Sequence, residues 1–238
     1  MAEGKYVGFV RPTYKSFALS DLVRLLPENV GVIPFYAGIK EHTLDGYMEA
    51  FPRYAQLVGE LAAIGVDVIH PEGAPPFLMQ GYAKEQEILK EWQERYKTPM
   101  FTSCSSALES LRALGVKRVV GVNFHSGPIN EVFAKYFRDA GFDFLAMEGS
   151  ELDLGAARDL SMAELQAHVK RAYEKHPTAE AMYLLGSGNW RPRDVQPVEQ
   201  ELGVPVLHPV QARAYAILKR LGIATPIKGA GRLLEAMP

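Results

Sequence analysis

Short apolar runs rich in β-formers alternate along this chain with longer stretches in which apolar residues return every three or four positions. The first run, residues 6–10 (YVGFV), stops at Arg11-Pro12 and predicts a buried strand. Residues 29–35 (NVGVIPF) predict a second, weaker one. Over residues 47–64, Met48, Phe51, Tyr54, Leu57, Val58 and Leu61 recur at helical spacing, Gly65 supplies a stop, and residues 66–69 predict the next strand. The same grammar continues with helix 80–96, strand 100–102, helix 105–114, strand 118–122, helix 129–140, strand 142–147 and helix 161–175. Strand 181–185, helix 195–202, strand 204–207 and helix 211–221 complete it. Strands interleaved with helices of this length predict an α/β fold whose parallel sheets are covered on both faces.

The pattern also repeats internally. The stretch VPVLHPVQARAYAILKRLG (204–222) resembles TPMFTSCSSALESLRALG (98–115), with Pro205 answering Pro99 and Leu221-Gly222 answering Leu114-Gly115. Gly121 in VVGVNFH answers Gly8 in YVGFVRP at an offset of 121 − 8 = 113, and Ser187 answers Gly73 at 187 − 73 = 114. Nearly one offset across the chain predicts two pseudo-symmetric α/β lobes, parallel strands flanked by helices, facing each other across a cleft. The expected division places residues 1–98, with a returning C-terminal helix in 209–238, in the N-terminal lobe and residues 99–208 in the second. Ligands of open parallel sheets sit beyond the carboxyl ends of the strands, so residues 11–14, 72–76, 102–106, 125–126, 187–190 and His208 are expected to gather there.

Composition narrows the partners. Of 238 residues, 26 are basic and 28 acidic, a net charge of -2 with no basic run, which argues against nucleic acid or an anionic membrane as partner. Cys104 is the single cysteine, which forbids an intrachain disulfide or a Cys-rich zinc site and points to a reducing cytoplasm. No apolar stretch approaches the ~18 residues of a membrane span, and the start MAEGKYVGFVRP lacks a signal-peptide core. The expectation is therefore a cytoplasmic protein with a small-molecule partner, with a homo-oligomer left open.

The run RYKTPMFTSCSSALESLRALGVKRVVGVNFHSGPINEVFAKYF is similar to the central region of the aspartate/glutamate racemase superfamily, in its arylmalonate decarboxylase and maleate cis-trans isomerase branch. The similarity extends through YLLGSGNWRPRDVQPVEQELGVPVLHPVQA to GAGRLL near the end. The resemblance implies two similar four-stranded lobes, a small carboxylate substrate and carbon chemistry without a cofactor, in which amides and hydroxyls stabilise an enediolate. Members of the superfamily place a cysteine after the third strand of each lobe, since two-sided proton transfer needs an acid and a base on opposite faces of the carbon. Those positions correspond here to Gly73 and Ser187. Glycine at the first matches the branch that decarboxylates with one-sided protonation. The threonine and serine that follow it in the decarboxylases correspond to Ala74 and Pro75, and their tyrosine after the first strand of the second lobe corresponds to His125.

Ser187 and His125 are the candidate proton donors, His125 because an imidazole titrates near neutrality. Gly73, Ala74 and Gly188 are the candidate supports of a developing oxyanion. Arg11 and Arg191 are candidates for holding a carboxylate by paired donors, whereas Arg193 reads as surface. Tyr14 and Trp190, with Phe77 and Tyr82, could wall an apolar pocket that destabilises a carboxylate relative to carbon dioxide. His208 is a further substrate contact or base. Cys104 has two readings, a thiolate activated by a helix N-terminus and, preferred, a small buried residue at a helix start that Ser103 or Ser105 caps. The function expected is a cofactor-independent, decarboxylase-like lyase acting on a small carboxylate or dicarboxylate. Alternatives are a maleate isomerase-like enzyme, a metal-assisted hydrolase using His125, His208 and Glu72 with His70 nearby, and a non-catalytic carboxylate-binding homologue. The histidines lack the tight spacing of a metal motif, so no metal is expected.

Overall fold

The computed structural model describes residues 4–14, 18–40, 44–124, 127–149, 160–185 and 191–237. The chain divides into two compact units, residues 1–106 with 216–224 and residues 107–215 with 225–238. In the first unit, strands β1 (Lys5–Arg11), β2 (Val30–Tyr36) and β3 (Val68–Pro71) form a parallel sheet in the order β2-β1-β3. Its helices are α1 (Ala18–Val23), α2 (Leu44–Glu49), α3 (Phe51–Ile64), α4 (Ala74–Leu78) and α5 (Tyr82–Tyr96). Helix α6 (Ser103–Ala113) carries the chain across the boundary. The second unit contains β4 (Arg118–Val122), α7 (Ile129–Asp139), β5 (Asp143–Glu148), α8 (Met162–Lys175), β6 (Ala181–Leu184), α9 (Val195–Leu202) and β7 (Val206–Leu207). Helix α10 (Pro209–Arg220) again crosses the boundary, and α11 (Arg232–Glu235) closes the second unit, whose parallel sheet has the order β5-β4-β6-β7. Among the described residues no helix is long and apolar enough to cross a membrane.

The helical face expected over 47–64 is divided in two. Pro52 lies in the first turn of α3, where a missing N–H breaks no intrahelical bond, and the chain restarts there after α2. Tyr54, Leu57, Val58 and Leu61 are then buried against β1 and β3. Gly8 of β1 permits this approach, since a Cβ there would lie 2.8 Å from Leu61 Cδ2. Its counterpart Gly121 makes room instead for side chains of the neighbouring strand β5, Met147 and Phe144, each 2.7 Å from where a Cβ would stand. Helices α1 and α4 arise where the hydrophobic pattern predicts no element, whereas α9 spans the residues expected of it.

The internal repeat reappears as hydrogen-bond register. Gly8 pairs with Ile33 and Ile69, Gly121 with Met147 and Tyr183, so both partners shift by one value, 147 − 33 = 114 and 183 − 69 = 114. At the amino ends, Asp67 Oδ2 accepts from the Tyr6 amide at 2.8 Å and Glu180 Oε2 from the Lys117 amide at 2.7 Å. Each carboxylate also meets a cation of its own unit, Lys5 at 2.9 Å and Arg118 at 2.8 Å. These backbone donors hold both carboxyls below their ordinary pKa, because they favour the charged form.

The fourth strand expected in the first unit is reduced to a single bridge between Ile69 and Met100, so that sheet has three strands. The ladder begins normally, with Ile69 N donating to Pro99 O at 2.9 Å and Phe101 N donating to Ile69 O at 3.3 Å. The next donor on β3 would be residue 71, a proline without an N–H. The Phe101 carbonyl is taken instead by His70 Nδ1 at 2.9 Å, with the two rings stacked 4.4 Å apart.

Candidate active site

At the carboxyl end of the first sheet the chain builds a turn in which nearly every polar group is committed. Glu72 extends β3 by one bond, its amide donating to Val10 O at 2.8 Å. Its carboxylate accepts from Arg11 Nε at 2.8 Å, with 3% and 9% of the two side chains exposed. Its carbonyl accepts from Tyr54 Oη at 2.7 Å. Burial, followed by the charge of Glu72, pushes the Tyr54 phenol well above its ordinary pKa, so it stays a donor. Tyr47 lies close enough to couple to it and is raised by its own burial.

Gly73 follows with φ 109, a left-handed conformation that a side chain would strain. A Cβ at that point would stand 3.0 Å from Tyr54 Oη and 3.6 Å from Pro12 Cγ. The Gly73 amide donates to Ser103 Oγ at 3.1 Å. Helix α4 then begins at Ala74 with two prolines in its first turn, Pro75 and Pro76, neither of which carries an N–H.

Helix α6 arrives opposite this turn. The expected cap at Ser103 or Ser105 is in fact a reciprocal pair: Ser105 N donates to Thr102 Oγ1 at 2.9 Å and Thr102 N to Ser105 Oγ at 2.8 Å. The Thr102 hydroxyl donates in turn to the buried Glu85 carboxylate. Cys104 is fully buried, its thiol directed at the Ala74 carbonyl at 3.5 Å. Burial and the Glu85 charge raise its pKa well above the ordinary value, so it remains a thiol with little nucleophilic character.

The other described sequence candidates fall in both units, Tyr14 and Phe77 in the first, Arg191 and His208 in the second. Tyr14 is 71% exposed, its ring 5.2 Å from that of Tyr36 at the end of β2. Phe77 is buried against Phe51 and Tyr54. Arg191 donates its amide to Asp194 Oδ2 at 2.9 Å, opening a short 3-10 turn, while the Arg193 side chain is 84% exposed. His208 is fully buried at the end of β7, its Nδ1 accepting from Val210 N at 3.1 Å, which leaves the proton of a neutral ring on Nε2. His125, Ser187, Gly188 and Trp190 lie outside the described residues. Among the described residues no group of three His, Cys, Asp or Glu side chains is arranged to hold a metal ion.

In the second unit, a small apolar pocket of about 10 Å³ opens beside the ends of β4 and β6, between Val122, Phe124, Leu165 and Leu184. Among its lining residues are Asn123 and His168. The Asn123 side chain donates to Asn130 Oδ1 at 2.8 Å, tying the end of β4 to the first turn of α7. Burial and then Arg171 lower the His168 pKa, keeping the ring neutral. Periodicity could not single out His168, which reads as an ordinary helix residue. Ser103 was legible only as a cap.

Residues 20–234 match the family model described as arylmalonate decarboxylase. The arylmalonate decarboxylase of Bordetella bronchiseptica is 26% identical over 239 residues, covering 96% of each chain. A maleate isomerase of Nocardia farcinica is 31% identical over 147 residues, which cover 56% of this chain and about half, 53%, of that protein. The solved maleate isomerase Iso of Pseudomonas putida S16 superposes with a TM-score of 0.88 at 20% identity, covering 98% of this chain and 99% of that one.

Proposed function

The chain belongs to the arylmalonate decarboxylase family, and from that premise we propose that it is a cofactor-independent lyase that decarboxylates a small, substituted dicarboxylate. The observation that carries this reading is the Gly73 turn: a glycine with φ 109 stands after the third strand, and the only thiol, Cys104, is buried and engaged with the Ala74 carbonyl. Carbon acid–base chemistry on two faces through paired thiols has no second thiol to use. Decarboxylation needs a proton donor on one face alone. The bond between the substrate carbon and one carboxylate breaks, carbon dioxide leaves, and the electron pair passes into the remaining carboxylate as an enediolate. A proton from His125 or Ser187 then reaches the carbon. The Gly73–Ala74 turn supports the charged intermediate, with Gly188 assigned the corresponding part, and Arg191 and His208 are the remaining candidate contacts. Arg11 acts by holding Glu72 and therefore the turn. Tyr14 and Trp190 are assigned to the apolar substituent.

Purified protein supplied with substituted malonates and, separately, with maleate tests the proposal. The expected result is release of carbon dioxide from a malonate, with kcat lowered ~10²–10⁴-fold in Ser187→Ala or His125→Ala. Fumarate formed from maleate without malonate turnover would replace decarboxylation by isomerisation. Tight carboxylate binding without any conversion would make the chain a binding protein.

A further inference from the structure

Four hydroxyls lie within the segment TSCSS at the start of α6, and three of them have an acceptor for their proton. Thr102 donates to the Glu85 carboxylate, Ser105 to Thr102 O at 3.3 Å, and Ser106 to Ser103 O at 2.9 Å. Ser103 differs. Its Oγ accepts from the Gly73 amide at 3.1 Å, and among the described residues its own proton meets no acceptor. Thr102 and Ser106 are fully buried, whereas Ser103 is half-buried.

The chemistry of the turn makes that proton significant. The Gly73 N–H is already committed and Pro75 and Pro76 have no N–H, which leaves the turn the Ala74 amide. An enediolate carries charge on two oxygens, so one donor from the turn calls for a second from another element. A hydroxyl that accepts from an amide is polarised toward stronger donation, and Ser103 is the first residue of an eleven-residue helix, where the positive end of the helix dipole adds to the effect.

We propose that Ser103 is a catalytic residue of the decarboxylation described above: its hydroxyl donates a hydrogen bond to the carboxylate oxygen that becomes the enediolate oxygen. No proton leaves Ser103. The carbon–carbon bond breaks to release carbon dioxide, the electron pair moves onto the remaining carboxylate, and Ser103 stabilises the oxygen on which charge accumulates. A donor of this kind acts most strongly on the transition state, so its loss lowers kcat more than it raises KM.

The proposal rests on the decarboxylase reading, and the experiment separates the two. Wild type, Ser103→Ala and Ser103→Thr are compared for phenylmalonate turnover, phenylmalonate binding by titration calorimetry, and unfolding midpoint. Ser103→Ala is expected to lose ~10²–10³-fold in kcat with KM changed by less than ~3-fold, while Ser103→Thr, which restores the hydroxyl, stays within ~10-fold of wild type. A folded Ser103→Ala with wild-type kcat overturns the proposal and leaves the decarboxylase reading intact. Should the alanine variant not fold, Ser103→Cys carries the same comparison with a weaker donor. A wild type that converts no phenylmalonate but binds it at least ~5-fold more tightly than Ser103→Ala overturns the reaction and keeps the hydroxyl as an anion contact. Equal binding, or none, by an inactive wild type and Ser103→Ala overturns both.

Discussion

The fourth strand meets its sheet alike in the two units and leaves it differently. Ile69 donates to the Pro99 carbonyl and Met182 to that of Pro205, both at 2.9 Å, so the proline pairing seen in the sequence is a pairing of hydrogen-bond acceptors. In the second unit the ladder runs on to Leu207. In the first it ends at Pro71, and His70 takes the carbonyl left over. The outward amide of each fourth strand is covered by a side chain from the preceding helix, Gln93 Oε1 to Met100 N at 3.0 Å and Glu199 Oε1 to Val206 N at 2.9 Å. Gln93 and Glu199 stand at the same offset as the amides they cover, 199 − 93 = 106 and 206 − 100 = 106. The repeat thus preserves where a bond must be made and leaves open whether a neutral or a charged group makes it.

The largest expected departure between the units lies at Arg11, whose counterpart at 11 + 113 = 124 is Phe124, packed against an apolar core. Glu72→Leu leaves the Arg11 guanidinium buried without its counter-ion and is expected to cost about 3–5 kcal/mol, measured by urea unfolding. The double variant Arg11→Leu with Glu72→Leu, which makes the first unit apolar there as the second is, is expected to recover most of that loss. A double variant as unstable as the single one would show that the pair holds the turn through something other than charge balance.

A smaller effect is expected at Glu199, which also receives the Arg232 amide on Oε2 at 2.9 Å. Glu199→Gln turns one of two acceptors into a donor and is expected to cost about 1.5–3 kcal/mol, against about 1–3 kcal/mol for Gln93→Ala. The pH dependence sharpens the contrast. Burial raises the folded pKa of Glu199, so the folded state binds the extra proton. The resulting stability is fully present below the ordinary carboxyl value and is lost as pH rises through the raised one. Unfolding midpoints across this window should fall with pH in wild type and lose that fall in Glu199→Gln.

The smallest effect is expected where the units agree most, at the amino-end clamps. Asp67→Asn should cost less than ~1 kcal/mol, since the Lys5 pair is largely solvated. Its folded pKa is lowered, so its contribution is present above the ordinary carboxyl value and is lost as pH falls through the folded one. Glu180→Gln should remove the same acid-side dependence from the second unit. A flat acid profile in either wild-type clamp would break the symmetry.

Much of the scaffold was legible because its signals are local. A helix announces itself within a few turns and a buried strand within a few residues, so alternation, parallel sheets and the offsets of 113 and 114 needed only the order of residues. The single thiol and the glycine at position 73 were likewise plain in the sequence, and they already restricted the chemistry. Tertiary structure decided how groups far apart in the chain are spent. Arg11 finds Glu72 across 61 residues and Gly73 finds Ser103 across 30, because sheet register and helix packing bring them together. Pro71 ends a ladder only when a strand lies beside it, and Ser103 is distinguished from its neighbouring serines only by which protons those neighbours have given away. Hydrogen-bond satisfaction is a property of the folded surroundings, so a sequence can supply the donors without saying which one is left for a substrate.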